Sequence, residues 1–327
     1  MEKIRRILIT GATGSLGKEL IKKIFKNHRE NLERLVVFSR DELKQWELRN
    51  LYPEDKFPEL RFFLGDIRDK DRLRLALNSV DIVVHTAALK QVPAAEYNPI
   101  EFIKTNIVGS QNLIEACFYS EVKKVIALST DKACSPVNLY GATKLCSDKL
   151  FVASNNFLGD RQLSFSVVRY GNVMGSRGSI IPYFKSLSKK EAFPITDLKM
   201  TRFFLSLEDA VELVWLSLNK MIGGEIFVKK IPSILITDIA KAINPNAKYK
   251  IIGIRPGEKI HEELISADDS RFTYDFDKYY KILPSLTKNI LSYKKGGFKV
   301  KSDFSYSSNN NSEWLNVKKI TQIIEKN

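Results

Sequence analysis

The chain has 327 residues, 44% of them hydrophobic and 28% charged, a composition typical of a globular protein with a sizeable core. Its formal net charge of +14 is spread along the sequence without a nucleic-acid-binding motif, so we expect an anionic small molecule, and no nucleic acid, as its partner. A short basic amino terminus, no long apolar stretch and three cysteines without paired or metal-ligand spacing predict a cytoplasmic protein with no membrane span and no metal.

Strands and helices are predicted to alternate through the first half of the chain. Short β-branched runs predict strands at 5–10, 34–38, 61–64, 81–85, 124–128 and 164–169. Apolar residues at helical spacing, or positions after a proline, predict helices at 15–25, 69–78, about 98–119 and from 136 to about 155. Because parallel strands require crossovers, this alternation predicts an α/β fold with a Rossmann-like doubly wound parallel sheet.

The second half of the chain is less regular. It predicts a loop at 175–178, helices at 182–190 and 208–219, a strand-like run at 297–300 and a polar turn at 307–312. We therefore expect a nucleotide-binding Rossmann domain over residues 1–172, to which segments near 203–230 return. Residues 173–327 would form mainly a smaller substrate-binding domain, with the carboxyl-terminal tail packed on the substrate side.

A glycine-rich segment, TGATGSLG at 10–17, stands between the first strand and the first helix. Gly11 permits a tight turn, Gly14 lets the backbone approach a pyrophosphate, and Gly17 allows close packing of helix on strand. The amino end of the helix adds backbone amides and a positive dipole. We therefore predict a dinucleotide site here, which also includes Thr13, Ser15 and Leu16.

The end of the second strand selects between the nicotinamide cofactors. A carboxylate at this place binds the ribose hydroxyls of NAD, whereas an arginine accommodates the 2′-phosphate of NADP. Ser39 and Arg40 favour NADP, although Asp41 could bind ribose and Arg40 could be a plain surface residue. Asp66 and Ile67, after the third strand, are expected at the adenine edge.

Two local clusters carry candidate chemistry. Ser-Thr-Asp-Lys at 129–132 ends the fifth strand, and Tyr140 and Lys144 share one face of the following helix. We expect the Lys144 ammonium and a positive nicotinamide ring to lower the pKa of Tyr140. The phenolate could then accept a proton from a substrate hydroxyl while hydride leaves for the cofactor.

Together these motifs resemble the extended short-chain dehydrogenases that act on nucleotide sugars. The match is closer to one family, the inverting UDP-N-acetylglucosamine 4,6-dehydratases that begin pseudaminic acid synthesis. It rests on FSRDE (38–42), AALKQVPAAEYNP (87–99), STDKA (129–133), RYGNVMGSRGSIIP (169–182) and RPGEKIHEEL (255–264). The resemblance covers about residues 5–283, and a YSS…EWL pattern follows at 306–315.

The resemblance implies specific roles for the cluster at 129–132. Lys132 would remove the C5 proton of the sugar after oxidation at C4, and Asp131 would protonate the departing C6 hydroxyl. A lysine acts as a base only if its pKa falls, which burial or nearby cations can cause. Hydride would return to C6, so the cofactor stays bound, and reprotonation of C5 from the opposite face would invert it. A surface ion pair is the alternative reading of these two residues.

The predicted binding sites extend beyond these clusters. Further cofactor contacts are expected at Lys44, Thr86, Ala87, Ala88, Lys90, Asn106 and Val173. Substrate contacts are expected at Lys90, Thr130, Asn172, Arg177, Gly178, Ser179, Ile180, Ile181, Thr196, Arg202, Arg255 and Glu258. The arginines suit the pyrophosphate of a UDP-sugar, and solvent exposure is the alternative for each of them.

The resulting hypothesis is an NADP-dependent lyase that converts UDP-N-acetylglucosamine to UDP-2-acetamido-2,6-dideoxy-β-L-arabino-hex-4-ulose. The resemblance also suggests a homo-oligomer, either a dimer or a hexamer. Two other enzymes remain open, a retaining 4,6-dehydratase and a UDP-sugar 4-epimerase. A non-catalytic NADP-sensing protein is a further alternative, but it would not need the intact pair Tyr140 and Lys144.

Overall fold

The computed structural model describes residues 5–174, 180–187, 192–286 and 290–326. Its strands are Arg6–Thr10 (β1), Arg34–Ser39 (β2), Leu60–Leu64 (β3), Ile82–His85 (β4), Lys124–Leu128 (β5), Ser164–Arg169 (β6), Asn172–Val173 (β7), Phe193–Ile195 (β8), Thr201–Leu205 (β9), Ile226–Lys229 (β10), Ser233–Leu235 (β11), Tyr249–Ile251 (β12), Glu263–Ile265 (β13), Thr273–Asp275 (β14), Tyr279–Ile282 (β15), Phe298–Lys299 (β16) and Tyr306–Ser307 (β17). Its α-helices are Ser15–Asn27 (α1), Glu42–Leu51 (α2), Lys70–Ala76 (α3), Val92–Tyr97 (α4), Pro99–Phe102 (α5), Gly109–Phe118 (α6), Leu139–Ser154 (α7), Ile180–Ser186 (α8), Leu207–Lys220 (α9), Ile236–Ile243 (α10), Ile290–Lys294 (α11) and Val317–Lys326 (α12).

The central sheet has ten strands in the order β16-β14-β15-β10-β6-β5-β4-β1-β2-β3. The strands from β10 to β3 in this order are parallel to one another, with Ile7 of β1 paired to Leu35 of β2 and Ile82 of β4. The direction of strand progression reverses between β1 and β4, which opens a crevice at their carboxyl ends. The predicted doubly wound α/β fold is therefore confirmed.

Alternate side chains of the parallel strands enter two cores, one on each face of the sheet. Leu8 of β1 packs with Leu113 of α6 and Phe151 of α7 on one face. Ile9 packs on the opposite face with Ile21 of α1 and other apolar residues of α1 and α9. Each such side chain contributes roughly 1.5–3 kcal/mol on burial. Because both faces of the sheet are covered, these strands are continuous apolar runs in the sequence.

The long helix predicted at about 98–119 is interrupted. It consists of α5, a π-helical segment at Ile103–Val108 and α6. The Asn106 side chain in the π-helical segment is buried and bonds to both backbone polar groups of Leu89. Apolar spacing cannot distinguish such a segment from a regular helix, and π-bulges are frequent at functional sites.

The second half of the chain contributes more of the central sheet than the sequence predicted. β14, β15 and β16 extend the sheet beyond β10 in antiparallel pairings. These three strands, which the sequence placed in the substrate domain, thus extend the nucleotide-binding sheet. The helix expected at 208–219 is confirmed as α9, whereas α2, with Asp41 as its N-cap, was missed.

The other elements form a smaller unit beside the sheet. β7, β9 and β11 form a three-stranded sheet, and β8 pairs with β12. Phe184 of α8, Ile239 of α10 and Ile320 of α12 share its apolar core, and β17 pairs with β13. The tail from β17 onward therefore packs in this unit. Within the described residues, no helix is both long and apolar enough to cross a membrane.

Candidate active site

The glycine-rich loop joins β1 to α1 at the crevice. Gly11 has φ +65°, and a Cβ atom there would lie 2.8 Å from backbone atoms of Ala87, so the loop packs closely on the segment after β4. Gly14 caps α1 without any side-chain hydrogen bond, and the first turn contains no acidic residue. The first amides of α1 therefore stay available to an anionic ligand, as the motif predicted.

Polar side chains fix the segment after β4. Thr10 Oγ1 lies 2.8 Å from His85 Nδ1, and Thr86 donates to the Thr10 carbonyl at 2.6 Å. Burial lowers the pKa of His85 to about 3, so this core histidine is a neutral hydrogen-bonding group. Asn106 was predicted to contact the cofactor. In the structure its side-chain amide accepts from the Leu89 amide and donates to the Leu89 carbonyl, which positions this segment.

The tips of β2 and β3 present the residues predicted to choose the cofactor. Arg40 is exposed and lies 3.5 Å from Asp66 Oδ2. Asp41, which could have bound ribose, instead accepts from the Lys44 amide at the start of α2 and also pairs with the Lys44 ammonium. Arg40 is thus the residue of this loop best placed for a 2′-phosphate.

Two neighbours of this edge differ from expectation. Ile67 turns its side chain into the core against α6 instead of toward an adenine. Gln45, which the sequence did not single out, donates to the carbonyl and the hydroxyl of Ser39 and to the Phe63 carbonyl. It ties the ends of β2 and β3 together.

The acidic and basic pair follows β5 in a short 3₁₀ turn, Asp131–Ala133. This turn lies directly on the first turn of α7, because a Cβ atom on Gly141 would be 2.1 Å from the Lys132 carbonyl oxygen. Asn138 caps α7 by accepting from the Gly141 amide at 2.8 Å. The close packing brings Tyr140 beside Asp131 and Lys132, as the sequence predicted.

The protonation of the helix pair differs from expectation. Burial raises the pKa of Tyr140 to about 12, although the nearby Lys132 charge opposes the shift. Burial also lowers the pKa of Lys144, so its charge is itself unfavourable at this place. The expected lowering of the tyrosine pKa by Lys144 is therefore not supplied by the chain alone.

Lys132 also departs from expectation. Its Nζ lies 3.1 Å from Asp131 Oδ1 and 3.1 Å from Glu262 Oε1. Although burial favours the neutral amine, the two carboxylates raise the pKa of Lys132 above its ordinary value. The fall in pKa that a lysine base requires is therefore not supplied by the chain alone, because a second carboxylate lies beside Lys132.

Asp131 has the properties of a proton donor. Its side chain is 1% exposed, and burial raises its pKa. Thr130 donates to Oδ1 at 2.9 Å, while Oδ2 has no hydrogen-bond partner among the described residues. A buried oxygen without a partner is costly, and it retains the capacity for one more hydrogen bond.

Several of the predicted substrate contacts lie on β7, β9 and the loop before β13. The Asn172 side-chain oxygen is buried and has no partner among the described residues, which suits the predicted substrate contact. Arg255, whose side chain is 66% exposed, binds Glu258 through two nitrogens, and Thr196 also donates to that carboxylate. Although burial opposes it, the Arg255 bonds lower the pKa of Glu258, which stays ionised.

Arg202 has a different role from the one predicted. Its guanidinium donates to the backbone carbonyls of Thr201, Ile260 and Lys259. It also lies 3.7 Å from Glu262 Oε1 through Nε. These bonds tie β9 to the loop before β13, so the Arg202 guanidinium is already engaged with the chain at the place where a pyrophosphate contact was predicted.

The remaining predicted contacts fall into three groups. Arg177, Gly178 and Ser179 lie outside the described residues. Ile181 is buried in the core of the smaller unit, with Ile180 packed against that core. Lys90, Ala88 and Val173 lie on segments that border the crevice, with Lys90 already engaged in the chain.

The sequence is similar to a known protein family and to named enzymes. Residues 7–284 match the family described as polysaccharide biosynthesis protein. The UDP-N-acetylglucosamine 4,6-dehydratase (inverting) of Campylobacter jejuni is 55% identical, covering 98% of this chain and 97% of its own. The UDP-glucose 4-epimerase of Rickettsia bellii is 37% identical, covering 98% and 95%.

Solved structures agree with the fold. The X-ray structure of Pen from Bacillus thuringiensis superposes with a TM-score of 0.88 at 34% identity and covers 99% of both chains. The dTDP-glucose 4,6-dehydratase of Streptomyces venezuelae, solved with NAD bound, gives a TM-score of 0.69 at 23% identity and covers 78% and 86%. The second likeness bears on the fold alone.

Proposed function

The chain belongs to the polysaccharide biosynthesis protein family of extended short-chain dehydrogenases, and from that premise we propose that it is an inverting UDP-N-acetylglucosamine 4,6-dehydratase. The observation that carries this proposal is the ion pair of the buried Asp131 with the partly buried Lys132, beside Tyr140. A 4-epimerase needs only the tyrosine and its cofactor, whereas dehydration needs an additional acid and base. The greater identity to the dehydratase than to the epimerase points the same way.

The residues present fit a dinucleotide. The amino end of α1 has no side-chain cap and no acid in its first turn, which suits a pyrophosphate. Arg40 at the end of β2 favours NADP over NAD through the 2′-phosphate. When bound, the nicotinamide ring supplies the acceptor for hydride from C4 and the donor that returns it to C6.

The side chains of the cluster then divide the proton transfers. The phenolate form of Tyr140, which the positive nicotinamide ring of a bound cofactor would favour, takes the proton of the C4 hydroxyl, and the new ketone acidifies the C5 proton. Lys132 removes that proton as the C5–H bond breaks. Asp131 gives its proton to the C6 hydroxyl, which leaves as water while the C5–C6 double bond forms.

The ion pair is compatible with these roles despite the raised pKa of Lys132. Transfer of one proton across the 3.1 Å contact from Lys132 to Asp131 produces the neutral amine and the protonated acid together, without a change in net charge. Elimination then returns the pair to ammonium and carboxylate. The two residues therefore titrate as one unit.

Product analysis tests this function. The protein is incubated with UDP-N-acetylglucosamine and no added reduced cofactor, and the product is examined by NMR. We expect a new C6 methyl doublet and inverted configuration at C5. An epimerised but undehydrated sugar would overturn the dehydratase, and a methyl doublet with C5 unchanged would overturn only the inversion.

The finer features of the hypothesis rest on the resemblance and on the sequence. We propose that the protein is a cytoplasmic homo-oligomer, a dimer or a hexamer, whose product enters pseudaminic acid-type synthesis. We retain residues 1–172 as the principal NADP-binding domain. Light scattering of the purified protein tests the oligomer, and mass spectrometry of the nucleotide released on denaturation tests NADP.

A further inference from the structure

A buried glutamate to which the sequence assigned no role, Glu262, contacts the Asp131–Ala133 turn through Lys132. Glu262 is 3% exposed and directly precedes β13. Two hydrogen bonds anchor its backbone to Ser308. The Glu262 amide donates to Ser308 Oγ at 2.9 Å, and the Glu262 carbonyl accepts from the Ser308 amide at 2.8 Å. The Glu262 carboxylate is thus held in a fixed place, 3.1 Å from Lys132 Nζ.

Lys132 lies between two carboxylates, but their surroundings differ. Glu262 Oε1 also faces Arg202 Nε at 3.7 Å, and the Lys259 charge acts on it too. Asp131 has Lys132 as its nearest cation and a hydroxyl donor in Thr130. The two buried carboxylates share the Lys132 ammonium, and the negative charge of each disfavours ionisation of the other.

The second cation decides which carboxylate is protonated. Arg202 stabilises the ionised form of Glu262, so the proton is directed to Asp131. Asp131 also has the unpartnered Oδ2, from which a proton can reach a ligand. A fixed negative charge on Glu262 therefore favours the protonated Asp131 that the elimination needs.

We propose that Glu262 is a positioning residue for the dehydration step, whose ionised carboxylate holds the Lys132 amine in place and makes Asp131 the proton-bearing acid. This inference rests on the proposed function. It assigns Glu262 no part in oxidation at C4, since Tyr140 and Lys144 belong to α7 and serve that step. Dehydration and oxidation should therefore respond differently to loss of the charge.

Transient kinetics of the full chain with its bound cofactor separates the two steps. UDP-N-acetylglucosamine is mixed with the protein, and the absorbance of the reduced nicotinamide is followed. In Glu262→Gln we expect its formation within about twofold of wild type. The decay of the reduced nicotinamide should slow by about 10- to 100-fold. This is less than the 10²- to 10⁴-fold contribution of a general acid or base, because Glu262 acts through its neighbours.

The pH profile gives a second readout. The titratable and charged groups facing the turn are Asp131, Lys132, Tyr140, Arg202 and Lys259. Removing the negative charge of residue 262 makes protons leave the turn more easily, so both limbs of the kcat profile should move to lower pH. Glu262→Asp keeps the charge, and its limbs should remain at the wild-type positions.

A matched control is available next to the proposed residue. Glu263 accepts from Ser135 Oγ at 2.9 Å and has no ion pair to Lys132. Glu263→Gln should leave the decay rate and both pH limbs unchanged. If Glu262→Gln folds poorly, Glu262→Asp still tests the proposal, because the shorter side chain should slow the decay without moving the limbs.

The outcomes are distinguishable. Equal slowing of formation and decay in Glu262→Gln, or pH limbs that do not move, would overturn the inference in favour of a purely structural role. So would a wild-type decay rate in both Glu262 variants. A wild-type protein that yields no methyl product would instead overturn the proposed function, and the inference with it.

Discussion

Two buried glutamates, Glu225 and Glu262, differ in how many of their carboxylate oxygens are hydrogen-bonded. Glu225, just before β10, is fully buried and accepts from Ser166 Oγ and from the Ile222 and Gly223 amides at 2.7–2.8 Å. Both of its oxygens are bonded. Glu262 is buried almost as deeply, yet its Oε2 has no hydrogen-bond partner among the described residues.

The contrast teaches how to read buried charge in this molecule. The Glu225 carboxylate has a structural role, because it closes a turn and accepts from buried donors that would otherwise have no partner. Around Lys132 and Glu262 the ion pairs leave oxygens unused, which costs stability and leaves capacity for a ligand. Burial alone therefore does not distinguish Glu225 from Glu262. What distinguishes these two residues is whether both carboxylate oxygens have hydrogen-bond donors.

The largest effect is expected on catalysis from Tyr140→Phe. Loss of the phenol should lower kcat by about 10²- to 10⁴-fold, since the group assigned to take the C4 hydroxyl proton is then missing. The free energy of unfolding should change by less than about 1 kcal/mol, because the hydroxyl faces the site. Steady-state kinetics and urea unfolding provide the two measurements. A variant with near wild-type kcat would contradict the assigned role.

The reverse pattern is expected for Glu225→Ala. Three donors lose their acceptor and the buried Lys281 loses its partner, so the free energy of unfolding should fall by about 3–4 kcal/mol. The kcat of the protein that remains folded should be close to wild type. Glu225→Gln, which keeps one acceptor oxygen, is the milder control. A stable Ala variant with low kcat would break the comparison.

The exposed Arg40, the proposed 2′-phosphate contact, should respond to substitution in a third way. Arg40→Ala should weaken binding of NADP by roughly 10-fold, because a charge-assisted contact to the 2′-phosphate is lost. Binding of NAD should change by less than about threefold on the same grounds. Calorimetric titration of both cofactors measures the difference. Equal losses for NADP and NAD would mean that Arg40 does not read the phosphate.

The smallest effect is expected at a partly exposed carboxylate of the fold. Burial opposes the shift, but bonds from Lys229 and Ser206 lower the pKa of Asp209. Its stabilising contribution is therefore present above about pH 4 and is lost as pH falls through the lower folded value. Asp209→Asn should cost at most about 1 kcal/mol at neutral pH, with the difference vanishing in acid. Unfolding of both proteins across pH measures it.

Much of the first half could be predicted from the sequence. The apolar runs of β1 to β6 and the TGATGSLG loop place the crevice, and the spacing of Tyr140 and Lys144 places the catalytic helix. These features are local, because each depends on residues within one or two elements. The cluster of Asp131, Lys132 and Tyr140 follows from them, since strand ends and helix starts meet at one edge.

The rest depends on contacts that no local pattern contains. Glu262 lies far along the chain from Lys132, and its motif, RPGEKIHEEL, did not indicate which of its acids would turn inward. Arg202 looked like a pyrophosphate fork until its donors were found on three carbonyls. The raised pKa of Lys132 could not be foreseen for the same reason: the second carboxylate beside it comes from another part of the fold.

The antiparallel addition of β15 to β10 has a consequence for how the protein is made. About 50 residues separate Lys229 from Tyr279, so the ribosome releases β10 well before its neighbour has been synthesised. During that interval the nascent sheet has an open edge, which is a template for wrong pairing. Translation speed between these two strands should therefore influence the yield of correctly folded protein.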